Sequence, residues 1–527
     1  MKIRSDILRV YQSLHTWVGI CAGMLLFIGF FAGALTMFKQ PLDRWLSAPA
    51  HALPALPAGQ LDALVTTLLA EHPAARKEFS LHLQQHENIA APVSWSEGDG
   101  GRDIDLSAKR WHATLDADGK LIAQQERPSL LAELIDMLHR TGGIPGTLGD
   151  EYIGIYLMGI AGVMYFLALV SGVILLLPTL VKDFFALRPG KNRKRFWLDA
   201  HNVIGIASLP YHIVISVTVI VFAFHDQFYG GLSRWVYGGQ PMFKPRVAAQ
   251  AYHLGDLQPA SELIATVQRE APEFEVTELM FMGLETPRPI VRASVASPRY
   301  LVQGAETGYV MIHPYTGKVV DTSMLPSKGD TWVDIVAPMF SLHFGSYGGS
   351  LMRWVYFAFG ISGAFLFYSG NLLWVEKRRK NKAPQQKLST RLMAAGTVGV
   401  CLGSVAGVSF AIVAGKWLFG AAENINSAYL WVYYSVFLAA LAWAFWRGAA
   451  RAGVELLSLC AFGALAIPLT SLVAWLLPST RWWAHGSIAA LGVDATALVF
   501  ASAFIWAARL SAHRTRNGPP DSVWAAS

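Results

Sequence analysis

His15-Thr16-Trp17-Val18-Gly19-Ile20 opens one long apolar stretch, and His201-Asn202-Val203-Ile204-Gly205-Ile206 opens another. The same H-x-x-x-G-I at the same depth in two apolar segments marks an internal duplication, and it governs how the rest of the chain is read. A second pair of motifs supports it. Leu138-His139-Arg140, followed by Gly142, Gly143 and Gly146, precedes the second apolar stretch. Leu342-His343-Phe344, followed by Gly345, Gly348 and Gly349, precedes the fourth. The chain therefore reads helix, hydrophilic segment, helix, written twice, with an apolar tail appended.

The composition agrees with a membrane setting. Of 527 residues, 53% are hydrophobic and only 15% charged, against roughly 25% charged in soluble chains. Crossing ~30 Å of hydrocarbon takes about 20 residues. Stretches of that kind lie near 14–38, 152–178, 200–224, 351–375, 392–418, 428–446, 453–477 and 485–508, so the sequence predicts a polytopic α-helical membrane protein with about eight transmembrane helices. The net charge of +7 gathers in runs beside these stretches: Arg4 and Arg9, Lys182 to Arg195, Lys377 to Lys382, Arg447 and Arg451, and Arg509 to Arg516. With eight crossings all five runs fall on one side, which the positive-inside rule makes cytoplasmic, with both termini inside. Basic charge placed this way excludes nucleic acid as the partner and names the lipid membrane instead. The first apolar run is too long for a signal-peptide core, so an uncleaved helix is expected despite the small residues at Ala48–Ala50.

The expected order is helix 1 over 1–38, an outer module over 39–138, helices 2 and 3 with a basic loop over 139–225, and a second outer module over 226–335. Helix 4 follows over 336–380, then a linker over 381–391, helices 5–8 over 392–508 and a cytoplasmic tail over 509–527. Each outer module has a helical start (Leu61–Leu69; Ala260–Glu270) and then alternating strand-like runs. Asp118-Gly119 in the first and Thr316-Gly317-Lys318 in the second mark hairpin turns.

Cys21, Cys401 and Cys460 sit singly inside apolar runs, without ligand spacing, so zinc and iron–sulfur chemistry is not expected. Histidine is the remaining redox ligand. His15 can face His201 near one surface, and His139 can face His343 near the other. Histidine beside a span is costly to leave alone, and two facing imidazoles supply both axial positions of a haem iron. Gly19 and Gly205, one turn beyond their histidines, let a flat macrocycle approach the backbone. Arg140 and Arg353 are placed to pair with haem propionates. His212, 11 residues beyond His201, falls on nearly the same face of a continuous helix and ~16 Å deeper; it reads either as a further ligand or as a partner for a carbonyl freed by Pro210. The same four histidines could hold a metal ion directly, though no carboxylate cluster accompanies them. His82 and His86 have i, i+4 spacing that suits a metal only on a helix. Asp494 is the one acidic residue within the last span.

The duplicated H-x-x-x-G segments, the Tyr315-Thr316-Gly317-Lys318 hairpin and the Leu-His approaches with their glycines resemble the PepSY-associated transmembrane helix family over about residues 8–380. The resemblance implies two periplasmic α+β, PepSY-like modules. It also implies kinship with bacterial inner-membrane ferric-siderophore reductases, which are di-haem b-type proteins. On that footing His15 and His201 hold a cytoplasmic-side haem b, and His139 and His343 a periplasmic-side one. The implied activity is reduction of Fe(III) to Fe(II) in a periplasmic ferric siderophore. No GxGxxG loop follows a strand, so a cytoplasmic reductase or membrane quinol is the expected donor. Two other readings stay open at this point: a PepSY-type membrane-anchored regulator or protease inhibitor, and a transporter.

Overall fold

The computed structural model describes the chain except residues 1–3, 49–52, 85–90, 99–103, 150, 185, 189–192, 237, 240–251, 301–306, 326–330, 380–384 and 526–527. Part of the expected linker over 381–391, and His86, lie outside the described residues. In chain order the helices are α1 (Ser5–Thr36), α2 (Lys39–Leu46), α3 (Leu61–Glu71), α4 (Leu131–Thr141), α5 (Ile153–Leu176), the short α6 (Leu180–Asp183), α7 (Arg193–Ala207) and α8 (Leu209–Ala223). They continue with α9 (His225–Trp235), α10 (Ala260–Glu270), α11 (Thr331–Phe344), α12 (Gly349–Lys377), α13 (Leu388–Trp417), α14 (Ile425–Leu476) and α15 (Ile488–Asn517). The chain divides into a helical unit (Met1–Leu46, Ser129–His225, Trp354–Ser527) and a second unit (Ser47–Pro128, Asp226–Arg353).

Among the described residues six helices are long and apolar enough to cross a membrane, or seven if the bent pair α7–α8 counts as one span. The protein is a multi-pass helical membrane protein. In lipid, helices associate through close packing rather than the hydrophobic effect, and small residues let backbones approach. That is how the bundle is built. A Cβ at Gly360 would meet Ala34 at 2.8 Å, one at Gly162 would meet Val219 at 2.6 Å, and one at Gly399 would meet Leu441 at 3.0 Å. Two features differ from straight continuous spans. The segment expected as one helix over 200–224 bends by 70° between Ala207 and Leu209, where Pro210 cannot donate to the preceding turn. Within α14, Gly448 has φ 74° and ψ 157°, a non-helical break between two helices. Both halves lie along α13: Tyr433 beside Gly407, Gly463 beside Ser409, and Cys460 bonded to the Leu402 carbonyl.

In the second unit the two segments expected as α+β modules contribute to one sheet. The strands β1 (Glu78–His82), β2 (Val93–Glu97), β3 (Lys109–Leu115), β4 (Leu121–Glu126), β7 (Glu275–Met282), β8 (Ile290–Ala296), β9 (Gly308–Ile312) and β10 (Val319–Asp321) make one sheet. Its order is β10-β9-β8-β7-β1-β2-β3-β4; a small pair, β5 (Thr147–Leu148) and β6 (Glu151–Tyr152), lies outside it. The seam between the halves is the antiparallel β1–β7 pair, with Phe79 opposite Phe281 and Leu81 opposite Leu279. All four are almost wholly buried, and the two phenyl rings stack at 4.5 Å. Period-2 alternation turns these apolar residues to one face, where Leu64 and Leu68 of α3 and Leu263 and Val267 of α10 join the same core. Each half brings four strands and one core helix, α3 or α10; pairing along β1–β7 joins their apolar faces in one core. Helices α2 and α4 cluster with the helical unit.

Candidate cofactor-binding site

His15, on α1, and His201, on α7, are brought together. Their ring centres stand 6.4 Å apart with the planes at 86°. Each ring is fixed at its Nδ1. His15 Nδ1 donates to the Ala168 carbonyl at 2.9 Å and lies 3.3 Å from Ser171 Oγ. His201 Nδ1 lies 3.4 Å from Ser369 Oγ. A glycine follows each serine and faces the same ring: a Cβ on Gly172 would sit 3.2 Å from the His15 ring, and one on Gly370 3.5 Å from the His201 ring. An Nδ1–H bond of this kind selects the tautomer whose Nε2 lone pair is available, the usual state of a metal-bound imidazole. Two imidazoles whose Nδ1 atoms are taken up by the protein are the kind of donor set that would hold a haem iron.

The serine–glycine pairs extend the duplication. Leu169-Val170-Ser171-Gly172 in α5 corresponds to Phe367-Tyr368-Ser369-Gly370 in α12. Each half thus contributes a histidine from its first helix and an orienting serine–glycine from its second. Reading the histidines alone misses this; aligning the second helices of the two halves finds it.

Gly19 has open space where a Cβ would stand, and a Cβ on Gly205 would only touch Leu366 at 3.7 Å. His139, in the last turn of α4, donates from Nδ1 to the Gly29 carbonyl at 2.7 Å. Arg140 pairs with Asp136 on its own helix at 3.5 Å. In the second unit His343 ends α11 and packs edge-on against Phe344 at 5.4 Å, and Arg353 is exposed. The His139–His343 pairing involves both units and remains a sequence expectation.

His212 corrects two expectations. The bend at Ser208 takes it off the face of α7 that carries His201, and its ring bonds to Tyr165 OH at 2.5 Å rather than to a carbonyl freed by Pro210. The side chain is completely buried among Phe30 and Tyr211, and its Nε2 is a buried nitrogen without a hydrogen-bond partner. Phe30 adjoins Gly29, the residue that anchors His139, so His212 and His139 flank the same turn of α1. His82 lies on β1, not on a helix, and its ring is taken up by Glu278 at 3.0 Å and Ser94 at 2.9 Å.

A family model described as the PepSY-associated TM region matches residues 12–377, more than half of the chain. The chain belongs to that family. No curated protein matches it. The PepSY-associated region contains all six histidines above and both serine–glycine pairs, and it ends at the last residue of α12. Helices α13–α15 lie beyond it.

Proposed function

We propose that this member of the PepSY-associated TM family is an inner-membrane electron-transfer protein that binds two haems b and reduces periplasmic ferric siderophore. The reading rests above all on the perpendicular, Nδ1-anchored imidazoles of His15 and His201, whose ring centres stand 6.4 Å apart. Counting the two halves of α14 and the bent α7–α8 pair as separate crossings and one crossing respectively gives eight spans, with the basic runs and both termini on the cytoplasmic side. His15 and His201 then lie near the cytoplasm, and the duplicated Leu-His motifs and the family resemblance assign His139 and His343 to the periplasmic-side haem, with His212 as a further candidate donor.

When bound, haem would supply reversible one-electron chemistry. The chain's own part is to set the ligands. Ala168, Ser171 and Ser369 hold the inner imidazoles in one tautomer, and Gly29 does so for His139. Gly172 and Gly370 leave those rings room, while Gly19 leaves space on the neighbouring turn. The net reaction takes electrons from a cytoplasmic reductase or membrane quinol and delivers one to each Fe(III). Fe(II) is the weaker partner for hard oxygen donors, so reduction loosens the chelate. Reduced-minus-oxidised visible spectra of the purified protein, followed by Fe(II) capture outside oriented vesicles, test the reading. Paired α and Soret bands with external Fe(II) support it; a colourless protein refutes it.

A further inference from the structure

We propose that the helices beyond the family region, α13–α15, act as a clamp that positions α4 and thereby sets the ring of His139. The inference rests on the reading of His139 as a ligand, but the clamp itself is a matter of hydrogen bonds and packing.

Helix α4 is short, and both of its ends are tied to α14. At the start, the Leu130 N–H donates to Asn426 Oδ1 at 2.9 Å, and Ser129 Oγ bonds to Tyr429 OH at 2.9 Å. Asn426 and Tyr429 are themselves nearly inaccessible to solvent. They occupy the first turns of α14, whose amino end is capped by Asn424 Oδ1 accepting from Asn426 N and Ser427 N. At the far end, Tyr434 OH donates to the Gly143 carbonyl at 3.1 Å, two residues past the end of α4. Between these ties Leu131, Ile135 and Leu138 are buried in one core with Tyr429 and Tyr433. On the other side His139 reaches Gly29 of α1. The helix is therefore wedged, with its apolar residues in the shared core and its histidine on α1.

A second tie reaches α4 through α2. Lys39 pairs with Glu133 at 2.9 Å. At the other end of α2 the buried Trp45 donates from Nε1 to Asp494 of α15 at 2.9 Å and to Ser471 of α14 at 3.1 Å. Lys416 of α13 sits 3.5 Å over the Trp45 ring and donates to the Trp483 carbonyl at 2.9 Å. All three appended helices thus bear on α4, directly or through α2. A ligand-bearing helix of eleven residues is too short to hold its own rotation, and second-layer contacts of this kind orient a metal-bound imidazole. Asn426 and Tyr434 are positioning residues in this arrangement.

The test uses the full chain in detergent, as wild type, Asn426→Ala and Tyr434→Phe. The latter removes one hydroxyl and leaves the ring, so it keeps the test usable if the former does not fold. Amide hydrogen exchange is followed over residues 131–141, with 290–296 as an internal control. Low-temperature EPR of the oxidised protein resolves the low-spin haem signals, whose g values depend on how the two imidazole planes are set. Loss of one tie is expected to speed exchange over 131–141 about fivefold, the change in opening that one hydrogen bond confers. It is also expected to move the signal that His139→Ala abolishes, leaving the His15–His201 signal in place. Unchanged exchange in both variants overturns the clamp. Faster exchange with the His139 signal unmoved overturns the positioning role. Absence of any haem signal from the wild type overturns the proposed function instead, and the exchange data then judge the clamp alone.

Discussion

Gly33 gives His139 its place: a Cβ on Gly33 would stand 2.7 Å from His139 Nδ1 and 2.8 Å from Cε1. One turn earlier on α1, the Gly29 carbonyl takes the Nδ1 proton. The imidazole is thus seated on a glycine and steered by a carbonyl of the same helix. Gly33→Ala should push the ring off its seat, an overpacking change of about 1–3 kcal/mol. Gly19→Ala meets nothing within 4 Å and should be neutral in the protein without haem. Difference spectra of both variants check the contrast: Gly33→Ala should lose or shift the component assigned to His139, and Gly19→Ala should keep the wild-type fold with any spectral effect confined to the other.

The serines beside the inner histidines should carry similar weight. His15 keeps its 2.9 Å bond to the Ala168 carbonyl when Ser171 is removed. His201 has the corresponding backbone partner, the Leu366 carbonyl, beside Ser369 Oγ at 3.4 Å. Ser171→Ala and Ser369→Ala should therefore each weaken the inner site by no more than about 1 kcal/mol, the usual scale of one hydrogen bond. Haem retention during dilution is the measurement; a large loss in one variant only would count against this symmetry.

The cluster around Lys416 should behave as one unit joined through Trp45, with Lys416 Nζ over the ring and Asp494 accepting from its Nε1. Asp494→Ala removes the acceptor of Trp45 Nε1 and Ser471 Oγ, which should cost about 1–3 kcal/mol, the scale of a buried donor left unsatisfied. The double variant Lys416→Met/Asp494→Leu removes both charges and should cost clearly less than the sum of the single changes. Denaturant unfolding in detergent, run as a double-mutant cycle, reads the coupling; strict additivity would show that the two side chains act independently.

In the second unit one contribution to stability should fade in acid. The hydrogen bond from His112 at 3.0 Å, helped by the charges of His112 and Arg110, holds Glu126 below the ordinary glutamate value of 4.5 against the opposing effect of burial. A depressed carboxyl favours the folded state above the ordinary value, and the benefit is lost as pH falls through the lowered one. Hydrogen exchange over β3 and β4 should accelerate across that window below pH 4.5. Glu126→Gln should flatten the dependence, and a wild-type profile in that variant would place the sensitivity elsewhere.

The membrane character, the duplication and the meeting of His15 with His201 were legible in the sequence, because hydropathy and a repeated motif report them directly. So were α3 and α10 with their apolar faces. Three features were not. Fusion of the two halves into one sheet depends on the β1–β7 pairing, a long-range contact that local alternation cannot specify. The bend at Ser208 turns on Pro210, and a proline within an apolar run marks either a kink or a tolerated interruption. Ser171 and Ser369 looked like ordinary small residues of a span until the helices around them were placed. The His139–His343 pairing is still carried by the repeat and the family resemblance.

The most direct test is pyridine haemochrome analysis of haem per chain in the wild type and in His15→Ala, with His201→Ala alongside. The account predicts two haems b in the wild type and one in either variant, the spectral component of His139 surviving in both. A wild type without haem, or full haem content after removal of either His15 or His201, would contradict it.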